Sequence, residues 1–239
     1  MREDATMEES PNAAAGESPP AAGRSVMATL TMAVWLAIVL GLVVQLLILF
    51  AKVTAGGKVT GLQLVADVAS GVTWSALVCS GVAVGTVASR HRAALMGFLG
   101  LISAPVAWAA AKGVQRGVQW MLGAPLETLG PLVYQVGVAK TLEYAVLGVL
   151  VGRLVRTPSS TFRAHVLTGL AVGLVFGGAI LWLNHAHAVA AGAAMPVARV
   201  AAICVNELFF PVGCAIVIYF VARFADRHSA FERLAAGGG

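Results

Sequence analysis

Charge is what this 239-residue sequence lacks most: Asp, Glu, Lys and Arg make up only 11% of it, against roughly 25% in an ordinary soluble domain. With 59% hydrophobic residues and a mean hydropathy of +0.85, so little charge excludes a water-soluble globule and points to an all-α integral membrane protein. Cysteine is scarce too. Cys79, Cys204 and Cys214 all fall in apolar stretches without C-x-x-C spacing, which argues against a disulfide framework or a zinc site. The net charge of +5 does not imply a nucleic-acid partner, because the 16 Lys and Arg are scattered between apolar segments instead of forming a run. A G-x-x-x-x-G-K-[ST] loop for ATP is missing, as are H-E-x-x-H and G-x-S-x-G. No cofactor, metal or catalytic residue is expected, and an intramembrane enzyme ranks behind the two readings given below.

What is present is a series of long apolar runs, uncharged except for Lys140 and Glu143 in the fourth and Glu207 in the sixth. A bilayer core of about 30 Å needs about 20 helical residues, and six segments meet that length: 26–51, 68–89, 93–111 with an extension through Trp120, 131–152, 164–183 and 200–222. They are continuous and do not alternate, so helices are favoured over strands, and a helix satisfies its own backbone in lipid. Residues 1–24 hold five acids among Pro, Ser and Ala and no large apolar cluster, the composition of a disordered tail. The expected organisation is that tail, a six-helix transmembrane domain over 25–223, and a short C-terminal tail over 224–239. The first apolar run, 26 residues long and preceded by acids, is too long and wrongly flanked for a cleaved signal peptide.

Six spans place both termini on one side. Arg24, Arg90, Arg92, Arg153, Arg156, Arg163, Arg223, Arg227 and Arg233 flank that side, and Lys52, Lys58, Lys112, Arg116 and Arg199 flank the other. The excess of bases puts both termini in the cytoplasm of a plasma (inner) membrane.

Three pieces of the chain resemble one another. Gly81-Val-Ala-Val-Gly85 leads to Arg90 and Arg92, Gly148-Val-Leu-Val-Gly152 leads to Arg156 and Arg163, and Gly213 is followed by Arg223 and Arg227. The pattern suggests three helical-hairpin repeats, although Gly, Ala and Val are abundant enough to produce such matches by chance. Three two-helix repeats are similar in outline to the mitochondrial carriers, whose P-x-[DE]-x-x-[KR] signature is absent: Pro125-Leu-Glu127-Thr-Leu-Gly130 lacks the final base, which excludes that family. Lipid tails are as apolar as Leu, so membrane helices associate through close backbone packing. Gly81 with Gly85, Gly148 with Gly152 and Gly169 with Gly173 are therefore expected on helix contacts.

An ionisable side chain at the bilayer centre costs at least about 2.5 to 3.5 kcal/mol, so each one needs a reason. Lys140 and Glu143 are spaced i, i+3 and share a helical face, as a structural ion pair or as a polar patch that binds a solute or relays a proton. Glu207 sits beside Asn206 and four residues before Pro211, whose missing N–H leaves the Glu207 carbonyl free and predicts a kink. Carboxylate, amide and free carbonyl in one turn suit an ion or polar solute. The alternative is that Arg199, two turns earlier, simply pairs with Glu207. Aligning the repeats on Gly81, Gly148 and Gly213 brings Thr73-Trp74-Ser75, Lys140 to Glu143, and Asn206-Glu207 to similar depth, as three turns around a cavity open to the outside.

Other polar residues have plainer readings. Lys112, Gln115, Arg116 and Gln119 recur every four residues between Trp108 and Trp120, a stripe that snorkels at the outer interface or lines an anion vestibule. His185 and His187 are expected in an exposed outer loop, and Ser103 beside Pro105 as a hydroxyl that helps satisfy the kinked backbone. The reading that follows is a transporter or channel-like permease for a small solute or ion, with Glu207, Asn206, Glu143, Lys140, Arg199 and Ser75 as its binding or coupling residues. The alternative is a non-catalytic subunit or scaffold that packs against partner helices. Expected partners are the lipid bilayer, the solute, and a second copy or a membrane subunit.

Overall fold

The computed structural model describes residues 21–87, 92–124, 126, 130–157 and 159–237. They form six helices, α1 (Ala21–Thr54), α2 (Gly61–Val84), α3 (Arg92–Met121), α4 (Pro131–Arg156), α5 (Phe162–Ala190) and α6 (Val197–Gly237), with a single 3-10 turn, Gly85–Val87, after α2. Five of them, all but α4, are long and apolar enough to cross a membrane. With 26 residues, about 39 Å at 1.5 Å per residue, α4 does not lack length. It is set apart by Lys140, Glu143, Arg153 and Arg156.

Several boundaries differ from those expected. Most of the N-terminal tail, Arg90, Pro125 and Glu127 lie outside the described residues, and α1 already begins at Ala21. Residues 224–237 continue α6 as helix. α5 runs on to Ala190, so His185 and His187 stand exposed on its last turns and not in a loop. Pro105 and Pro211 lie inside continuous helices, since neighbouring helices hold a proline-bearing segment in place.

Successive helices pack side by side and α6 returns to α1, which closes the bundle. α6 also meets α2 and α4 and is the most enclosed of the five apolar helices. Each odd-numbered helix ends in the same way. Gly56, Gly123 and Gly192 take left-handed backbone with φ of 77°, 66° and 68°. In each case the next residue's N–H bonds back to a carbonyl five residues earlier: Gly57 to Lys52, Ala124 to Gln119 and Ala193 to Ala188, at 2.9, 2.8 and 2.9 Å. This is the Schellman stop, and only glycine takes it without strain. Thr60 and Thr161 cap the starts of α2 and α5 by accepting from Gln63 N and Ala164 N.

The expected glycine pairs all lie on helix contacts. A Cβ on Gly152 would come within 2.6 Å of Ala93 Cα, one on Gly148 would strike the Met96 carbonyl, and one on Gly169 would lie 2.6 Å from Val212 Cα. Gly85 abuts Met96 in the same way. Gly81 packs against Ser103, whose hydroxyl is buried with no hydrogen-bond partner among the described residues and so does not serve the backbone at Pro105. The three aligned glycines are not equivalent: Gly81 of α2 meets α3 and Gly213 of α6 meets Leu40 of α1, whereas Gly148 of α4 meets the α3 of its own hairpin. Bulky apolar residues such as Trp35, Phe50, Leu174 and Trp182 are left on the outside, where a lipid-facing surface needs them.

Candidate functional site

α4 and α6 bring three ionisable side chains together in the interior. Lys140 Nζ lies 3.0 Å from Glu143 Oε2, one helical turn away. The same ammonium forms an ion pair with Glu207 of α6. Lys140, Glu143 and Glu207 are only 2%, 0% and 5% exposed, so none is screened by bulk water. Asn206 Nδ2 donates to Glu207 Oε1 at 2.8 Å, which engages both oxygens of that carboxylate. Glu143 Oε1 is buried and has no hydrogen-bond partner among the described residues.

Aromatic rings wall the cluster. Trp74 of α2 meets Tyr144 of α4 edge to face at 5.4 Å and Trp108 of α3 at 6.0 Å. Lys140 Nζ stands 6.0 Å from the Trp74 ring and 5.7 Å from that of Tyr144, within reach of their negative faces. The free thiols Cys79 and Cys214 are both buried.

Next to the cluster is a cavity of about 100 Å³ whose lining includes Gln45, Trp74, Trp108, Lys112, Lys140 and Asn206. At roughly 30 Å³ of liquid volume per water, it has room for a few waters or one small ion. Lys140 and Asn206 therefore line the cavity, whereas Glu143 and Glu207 are not among its lining residues. Toward the end of the bundle where α1 stops, Lys52 pairs with Asp67 at 2.9 Å, Gln115 donates to Asp67 at 3.4 Å, and Lys112 donates to Gln115 at 3.0 Å. Lys112 also stands 5.5 Å over Trp108, which makes it part of a polar network as well as of the expected stripe. A wider cleft of about 450 Å³ at the same end is lined in part by Lys52, Lys58, Gln63 and Arg199.

Two of the six expected residues stand elsewhere. Ser75 is fully buried and donates to the Ala37 carbonyl at 2.6 Å, so its hydroxyl ties α2 to α1. Arg199 donates to Asn184 Oδ1 of α5 at 3.1 Å. The alternative pairing of Arg199 with Glu207 is not formed: eight residues of helix separate them by about 12 Å, and Lys140 takes the place nearer by. Pro211 does free the Glu207 carbonyl, but that oxygen points at α5, where a Cβ on Gly173 would lie 2.7 Å from it. Carboxylate and carbonyl thus serve different neighbours.

The sequence reading missed Asp67, which lies just outside the uncharged run of the second span, and Gln45, a lone amide within the first. It also missed His165. His165 is buried, its Nδ1 donates to the Thr161 carbonyl at 3.1 Å, and its Nε2 has no partner among the described residues. It lines a separate cavity of about 80 Å³ with Ser160, Tyr219, Arg223 and Asp226. A histidine at the second position of the apolar run 164–183 was the available signal. No family model matches the sequence, and no curated protein and no solved structure matches it either.

Proposed function

We propose that the chain is a six-helix membrane permease for a small ion or solute, in which α4 also spans the bilayer and the Lys140, Glu143 and Glu207 cluster is the binding or coupling site. The observation that carries this reading is the cavity of about 100 Å³ that is lined by both Lys140 and Asn206, with Lys112 also on its wall. A buried ion cluster beside a cavity is costly to keep in a bilayer, and passage or binding is a function that would retain it. Both termini are cytoplasmic in a plasma (inner) membrane, on the strength of the Arg distribution. The identical glycine stops of α1, α3 and α5 support three like-oriented hairpins; the unequal contacts of Gly81, Gly148 and Gly213 weigh against strict equivalence. The second reading, a scaffold subunit that binds partner helices or a second copy, is favoured by one observation, that neither carboxylate is among the residues lining the cavity.

A thermal-shift screen of purified protein against small ions and metabolites across pH separates the two. A permease gives ligand-dependent stabilisation that Glu207→Gln abolishes while the protein stays folded. A scaffold gives no ligand effect, and Glu207→Gln only lowers the melting temperature. Orientation is tested by single-cysteine labelling from outside intact cells, where Lys58→Cys reacts and Ser159→Cys does not.

A further inference from the structure

We propose that the Lys140, Glu143 and Glu207 cluster holds one exchangeable proton, carried on Glu143, so that the buried cluster is neutral as a whole. The inference deepens the permease reading and rests on it for the route of exchange, which is the cavity beside Lys140.

Charge counting carries the first step. One ammonium and two carboxylates, all ionised, leave a surplus negative charge among residues at most 5% exposed. Among the described residues, the titratable groups near Glu143 are Lys140 and Tyr144 of α4, and Glu207 and Cys214 of α6, with Cys79 of α2 beside Cys214 and Tyr144. Lys140 is the one base among them. The next, Lys112 of α3, lies along the cavity and is bonded to Gln115. An uncompensated charge in so dry a place is far more costly than a neutral carboxyl.

Geometry chooses the ligand and the residue. A metal cation would need the space between the carboxylates, which the Lys140 ammonium already fills, and no group of three or more His, Cys, Asp or Glu among the described residues is placed to hold one. A proton needs no such space. Glu207 has both oxygens engaged, by Lys140 and Asn206, as an ionised carboxylate requires. Glu143 is fully buried with Oε1 unpartnered, and that oxygen carries the proton. Release breaks the Glu143 O–H bond and passes the proton by way of Lys140, which lines the cavity and gives one of its own N–H protons to water there, so that the cluster is left with one negative charge, ready for a cation or for the proton's return.

Infrared spectroscopy of the purified full-length protein at neutral pH counts protonated carboxyls directly. The expected result is one carboxylic C=O band that shifts in heavy water. It is absent in Glu143→Gln, where the group is gone. It is also absent in Glu207→Gln, where Glu143 ionises to balance Lys140. In Lys140→Met it doubles, because both acids must then be neutral. A wild-type protein without the band overturns the proposal, as does a band that survives both Glu→Gln changes or that fails to shift in heavy water. Should a variant not fold, the wild-type band and its isotope shift still decide. Ligand-dependent melting measured on the same sample reports on the permease reading separately, so either can fail without the other.

Discussion

The two faces of α4 are held by opposite means. Toward α3 it presents Gly148 and Gly152 against Met96 and Ala93, while Gly97 and Gly100 of α3 accept Val149 and the Tyr144 carbonyl in return. Toward α6 it presents Lys140 and Glu143, and a charge cluster takes the place of close backbone contact. The first face resembles small-residue packing anywhere in a membrane protein, where contact itself supplies the stability. The second gives up apolar packing for charges that are stable only as a set. One helix thus carries the scaffold on one side and the candidate chemistry on the other.

The largest expected effect breaks the charged face. Lys140→Met leaves the ionised Glu207 without its counter-charge in the interior and should cost about 3–5 kcal/mol of stability, whereas Glu143→Gln, which keeps the shape and leaves a balanced pair, should stay within about 1 kcal/mol. Chemical unfolding in detergent compares the two. If they cost the same, the cluster is not balanced as a unit.

The packed face should respond next. Gly148→Leu drives a side chain into the Met96 carbonyl and should cost about 1–3 kcal/mol through overpacking. Gly178, on the exposed side of α5 with nothing within 4 Å of an added Cβ, is the control: Gly178→Ala should stabilise by about 0.5–1 kcal/mol through helix propensity alone. Equal melting shifts of the same sign for both would mean that glycine at α3 and α4 has no packing role.

The smallest effect is a coupling. Arg199 and Glu207 share no partner, so the stability losses of Arg199→Gln and Glu207→Gln should add to within about 0.3–0.5 kcal/mol, while Lys140 and Glu207 couple by about 0.5–3 kcal/mol. A double-mutant cycle with strong Arg199–Glu207 coupling would reassign the partner of Glu207.

Much of this arrangement was legible in the sequence, and the exceptions have a physical pattern. Uncharged runs locate the helices because lipid tolerates few alternatives, and i, i+4 glycines locate contacts because the spacing fixes a face. The i, i+3 pairing of Lys140 with Glu143 is local and was read correctly. The partner of Glu207 was not legible, because it depends on which helix stands beside α6, and nothing in the linear spacing of Arg199 or Lys140 encodes that. Asp67 and Gln45 were passed over, and Ser75 was set beside the cluster instead of on the Ala37 carbonyl, for the same reason: one polar residue in an apolar helix gives no sign of whether it faces a cavity, an ion or a backbone carbonyl. The stops at Gly56, Gly123 and Gly192 were overlooked although the signal was present, a glycine just past the last apolar turn.

The central claim is that water reaches the cluster through the cavity, and labelling of Asn206→Cys in a cysteine-free background tests it most directly. With a small water-soluble thiol reagent added on the side where Lys58→Cys reacts, the account predicts that Asn206→Cys is modified while Val172→Cys, buried within α5, is not. Failure of Asn206→Cys to react under conditions where Lys58→Cys reacts fully would contradict it, and would leave the cluster a sealed structural pairing of α4 with α6.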